Sequence, residues 1–92
     1  MTLQTPAEMA IDAAQRFRRM RKEKNTTIKA LSENSGVPYS TIRRFESSGE
    51  ISFLALVKMT SALGEDEQIS NLFAERVPAS IEEVIRGNRR KA

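Results

Sequence analysis

The chain has 92 residues, 39% of them hydrophobic and 29% charged, with a net charge of +3 and only 4 Gly and 3 Pro. This fits one small globular domain with room for a tail, not a disordered or collagen-like chain. Cys and His are absent, which excludes disulfides, thiolate nucleophiles, imidazole bases and Cys/His metal sites. Carboxylates, Lys, Tyr and hydroxyls alone remain for chemistry, and a core this small rarely encloses a substrate pocket as well. The composition therefore argues against an enzyme, a catalytic residue, a metal or a cofactor. Residues 1–6 have neither the basic nor the apolar region of a signal peptide, and no run of about 18 apolar residues occurs. The expected location is the cytoplasm.

In chain order, Thr5-Pro6-Ala7-Glu8 reads as a helix start, with Thr5 as N-cap, Pro6 at the first helical position and Glu8 closing a capping box. Ala10, Ala13, Phe17 and Met20 follow at helical spacing, joined by Ala14 and Arg21, and predict a helix to about residue 24. Arg16, Arg18, Arg19 and Lys22 fall off its apolar stripe. Asn25 breaks the pattern, and Thr27 suits the N-cap of a short helix over 28–34 with Ile28 and Leu31 inward. Ser35-Gly36-Val37-Pro38 is a turn in which Gly36 supplies a positive φ and Pro38 pushes Val37 out of the helical region. A third helix is expected over 39–47, with Ile42 and Phe45 inward. Residues 48–51 form a loop. Ser52 caps a fourth helix over 53–63 that buries Phe53, Leu56, Met59 and Leu63 and stops at Gly64. Glu65-Asp66-Glu67 favours the start of a fifth helix with Ile69, Leu72 and Phe73 inward, running until Pro78. A second capping box, Ser80-Ile81-Glu82-Glu83, opens a short segment whose Ile81, Val84 and Ile85 make a small apolar face, too short to hold a helix alone in water. Gly87 ends it, and 88–92 is a basic tail. With no strand signal, the expected architecture is all-α: five helices over 1–76, then a linker, short helix and basic tail over 77–92.

Charge is unevenly placed: residues 1–64 carry +4, 65–85 carry −5 and 86–92 carry +4. Six basic residues against one acid lie within 16–24, read either as a solvated helix face or as a surface that meets phosphates. Residues 27–47 have helix-turn-helix spacing. Counted from Ile28, a small residue (Ser32) falls fifth, glycine (Gly36) ninth, and apolar residues (Val37, Ile42, Phe45) tenth, fifteenth and eighteenth. Ser32 must be small where the third helix crosses, and Gly36 supplies the tight turn. Such a unit projects the N-terminal side chains of its second helix toward a DNA major groove.

Residues 16–63 resemble the lambda-repressor/Cro-like (XRE) helix-turn-helix family: "RRMRKEKN", "LSENSGVPYSTIRRFESSGEIS" and "LVKMTSALG" match in register. The "FESSGEIS" loop and basic C-terminal end further resemble HipB-like regulators encoded beside HipA-type serine/threonine kinase toxins. The resemblance implies a five-helix lambda-repressor-like DNA-binding domain in which Tyr39, Ser40 and Arg43 read base edges. Arg18, Arg19, Thr26, Thr27, Thr41 and Arg44 match positions that meet the DNA backbone, and Arg21 with Glu46 matches a partly buried ion pair whose breakage costs more than deletion of both partners. Three departures stand out. Ile28 replaces a frequent backbone-contacting Gln, and Ser35 replaces an apolar residue, which predicts looser packing of the second helix. The loop before the fourth helix also lacks extra basic groups.

Each role has a plainer counterpart: Arg43 and Arg44 as solvated charges, Tyr39 packed on Pro38, Phe45 and Phe53 as core residues and not stacking platforms. Three adjacent carboxylates at 65–67 do not converge on one ion, and Glu82 and Glu83 face different directions on a helix. Family members usually bind palindromic operators as twofold homodimers. Ile69, Leu72 and Phe73, or Ile51 and Phe53, would supply the dimer surface unless they are ordinary core. The leading reading is a sequence-specific operator-binding repressor, autoregulating a toxin–antitoxin operon and binding a HipA-type kinase toxin. Alternatives are a module whose chief task is toxin binding through Ile81, Val84, Ile85 and the basic tail, or a phage-type repressor without a toxin. The identity of the neighbouring gene and truncation after Val77 separate them.

Overall fold

The computed structural model describes residues 3–75, which form five α-helices: α1 (Pro6–Glu23), α2 (Ile28–Ser35), α3 (Tyr39–Ser48), α4 (Phe53–Ala62) and α5 (Asp66–Ser70). Among the described residues there is no strand. The expected 77–92 segment, with the Ser80 capping box, Ile81, Val84, Ile85 and the basic tail, lies outside them.

Local sequence sets nearly every boundary. The Thr5 hydroxyl accepts from the Glu8 amide at 3.1 Å while the Thr5 amide donates to the Glu8 carboxylate at 2.8 Å, so the capping box is complete. Thr27 and Ser52 cap α2 and α4 by accepting from the amides of Ala30 and Ala55. Asn25 ends α1 in the left-handed region, at φ 53°. The amides of Asn25 and Thr26 then return to the carbonyls of Lys22 and Arg21, satisfying groups the helix end would strand. Gly64 does the same for α4 at φ 75°, its amide and that of Glu65 bonding to Ser61 and Thr60.

The helices enclose a core of Ala14, Phe17, Leu31, Val37, Ile42, Phe45, Met59 and Leu63. Helix α1 packs on α3, α2 on both α3 and α4, and α4 on α5. Phe17 and Phe45 meet edge to face, with centroids 5.4 Å apart. Leu31, Ile42 and Met59 are fully buried, each side chain stabilising the fold by about 1.5–3 kcal/mol. Within the turn, the Ser32 hydroxyl donates to the Val37 carbonyl at 2.7 Å, and the Val37 amide donates to Ser35 Oγ at 3.1 Å. Ser35 thus has a local task of its own at a position where an apolar side chain was expected.

Three expectations are corrected. Phe53 is 58% exposed. As the first residue of α4 its side chain leans back past the helix start and over the edge of the core. Helix α5 ends at Ser70, well short of Pro78. The chain then turns through Phe73 at φ 57°, which swings Leu72 and Phe73 outward, to 42% and 94% exposure. Ala13, placed on the buried stripe by its spacing, is exposed, and the buried face of α1 is Ala14, Phe17 and Arg21.

An ion pair between Lys24 and Glu65 at 2.9 Å ties the approach to α5 to the end of α1. The hydrogen bond from Lys24, and then that from Gln68, holds the Glu65 carboxyl below the usual carboxylate range.

Candidate nucleic-acid interface

Helix α3 turns its apolar side, Ile42 and Phe45, to the core and leaves Tyr39, Ser40, Arg43 and Arg44 exposed on the other. Its start is set by the preceding turn. Gly36 takes φ 80° and Pro38 stands extended at ψ 145°, so the chain leaves α2 sharply and re-enters helix at Tyr39. The geometry needs no side-chain cap on α3, and none is present.

One pair fastens α3 to α1. The Arg21 Nε and Nη2 donate to the two Glu46 carboxylate oxygens at 2.7 and 2.9 Å, a bidentate contact between side chains that are both buried. The third arm, Nη1, donates to the Thr26 carbonyl at 2.8 Å. The Glu46 hydrogen bond raises the Arg21 pKa, outweighing burial, which acts in the opposite direction. Arg18, half-exposed, reaches the same carboxylate at 3.9 Å and keeps most of its charge available to solvent.

Above this pair lies an open cleft of about 690 Å³ lined by Arg18, Ile28, Ser40, Arg43, Arg44 and Ser47, with Arg21 and Glu46 in its floor. Of the sequence-derived site residues, the cleft gathers Arg18, Ser40, Arg43 and Arg44. Tyr39, at the first turn of α3, stands outside its lining and is exposed. Thr41 is half-buried, and Arg19 is exposed on α1 without a place in the cleft. The Thr26 hydroxyl donates to the Lys24 carbonyl, and the Thr27 hydroxyl is engaged as the N-cap. By helix geometry the first amides of α2, those of Ile28 and Lys29, have no partner within the helix and suit an anion.

Two residues escaped the sequence reading. Glu50 pairs with Arg44 at the cleft edge, Nη2 to Oε1 at 2.5 Å. The signal available was an acid in an otherwise uncharged loop. Gly49 ends α3 at φ 81°, and a Cβ there would lie 2.7 Å from the Ala10 carbonyl carbon. Nothing in the local sequence signals that approach, because Ala10 is distant in the chain.

Among the described residues no cluster of carboxylates is arranged to hold a metal, and no helix is long and apolar enough to cross a membrane. The chain matches no curated protein and no solved structure with which it was compared. A family model described as helix-turn-helix does match residues 17–69, more than half the chain and the whole stretch that builds the cleft. The protein therefore belongs to the helix-turn-helix family, of the lambda-repressor/Cro-like (XRE) type, and is a DNA-binding transcription regulator.

Proposed function

We propose that the protein is a homodimeric repressor that binds a palindromic operator with α3 in the major groove. The observation that carries this reading is the cleft, in which exposed Arg43 and Ser40 of α3 converge with Arg18 of α1. Arg43, Ser40 and Tyr39 read base edges, Arg43 by a bidentate contact to guanine. Arg18, Arg19, Thr26, Thr27, Thr41 and Arg44 line up along the phosphates, which fix register and carry no sequence information. Ile69, Leu72 and Phe73 supply the twofold contact.

The finer assignment is to a HipB-like autoregulator of a toxin–antitoxin operon that also binds a HipA-type serine/threonine kinase in the cytoplasm. Its support is the "FESSGEIS" loop of residues 45–52 and the apolar Ile81, Val84 and Ile85 ahead of a basic end.

A binding titration against a panel of operator variants tests the assignment of the reading helix. Arg43→Ala loses about 1–3 kcal/mol against the preferred operator and relaxes discrimination at one base position. Equal binding of the wild type and Arg43→Ala across the panel removes Arg43 as a reader.

A further inference from the structure

The two adjacent arginines of α3 are in different electrostatic states. Among the described residues Arg43 has no ion-pair partner, whereas Arg44 is paired with Glu50. The pair is built in place. Gly49 turns the chain back on α3, and the Glu50 amide donates to Ser48 Oγ at 3.2 Å. The hydroxyls of Ser47 and Ser48 both donate to the Arg44 carbonyl. These bonds hold the end of α3 and the following loop so that the Glu50 carboxylate faces the Arg44 guanidinium at the edge of the basic cleft. Both side chains are mostly exposed, 70% for Arg44 and 67% for Glu50.

We propose that Glu50 is a specificity-determining residue that acts as a built-in substitute for a DNA phosphate, neutralising Arg44 so that sequence-independent attraction is reduced while Arg43 stays free to read bases. An exposed pair of this kind is weak, so a duplex phosphate can displace the carboxylate. The exchange yields little, because one charge-assisted contact replaces another and the released carboxylate then stands beside the phosphate. Arg44 therefore adds little to binding on arbitrary DNA, where affinity comes from phosphate neutralisation and counterion release. This inference rests on the placement of α3 against DNA proposed above.

A double-mutant cycle on the full chain with a short DNA duplex of mixed sequence, titrated across a salt series, tests it. Glu50→Gln is expected to tighten binding by about two- to fivefold and to steepen the salt slope by about 0.9, because the cation released from the phosphate at Arg44 is no longer offset by one taken up at a freed carboxylate. In an Arg44→Ala background the same substitution is expected to change neither. Equal tightening in that background shows a general charge effect and overturns the proposal, as does no tightening at all. Salt-independent binding by the wild type overturns the DNA-facing cleft itself, whatever Glu50 does. Because the Ser48–Glu50 bond uses the backbone amide, the substitution leaves the loop geometry in place, and a thermal melt checks that it does.

Discussion

At Arg21 one buried guanidinium serves three segments: its own helix, the Thr26 carbonyl before α2, and Glu46 near the end of α3. A bidentate pair out of water gains attraction and loses hydration in similar measure, so its presence says less about net stability than its disruption does. Glu46→Gln leaves the buried Arg21 charge unpaired and is expected to cost about 3–5 kcal/mol, whereas Arg21→Met leaves Glu46 with Arg18 at 3.9 Å and is expected to cost less. The double variant Arg21→Met/Glu46→Met is expected to recover much of that loss in a denaturant melt. A double variant as unstable as the sum of the singles excludes the desolvation argument. The partners stand 25 residues apart, so no local spacing points to the pair, and only the family resemblance suggested it. Arg43 and Ser40 differ in this respect, since the helical period alone sets them opposite Ile42 and Phe45.

At the scale of elements, the glycines ending α2 and α3 share a left-handed backbone but not their surroundings. A Cβ at Gly36 would meet open space, whereas one at Gly49 would run into the backbone of α1 at Ala10 and Ile11. Gly36→Ala is expected to cost about 1–2 kcal/mol, the ordinary strain of a side chain at positive φ. Gly49→Ala adds a steric overlap that only a shift of α1 relieves, and its loss is expected to exceed that of Gly36→Ala in chemical denaturation. Equal losses would show that α1 moves aside freely. Helix starts at Thr5, Thr27 and Ser52 and stops at Asn25, Gly36 and Gly64 were legible because each depends on side chains within a few residues. Phe53 and α5 were not. Apolar spacing reports that a face is greasy without saying how far the core extends beneath it, and the turn after Ser70 contains no Gly or Pro to announce it. Gly49 looks like an ordinary loop residue in the sequence because the backbone it approaches belongs to another helix.

At the scale of the whole molecule, two of the exposed apolar side chains among the described residues, Phe53 and Leu72, share one groove. Phe53, Leu72 and Ile69 line a groove of about 450 Å³ with Phe17, Met20 and Leu56, and Leu54 and Phe73 are exposed. Clustered apolar exposure of this kind marks an association surface, and the proposed homodimer covers it. Leu72→Ser/Phe73→Ser is expected to shift sedimentation toward monomer with little change in the melting temperature of the isolated domain, since both side chains are exposed already. Tight operator binding is lost with the second half-site. A variant that still sediments as the wild type does would move the twofold axis elsewhere. The Arg21 clasp bears on energetics as well as assembly. By locking the amino-terminal helix to the reading unit at two points, it presets the angle at which the two would straddle a DNA backbone. In the proposed complex that angle would then be set before encounter, leaving less ordering entropy to lose on binding.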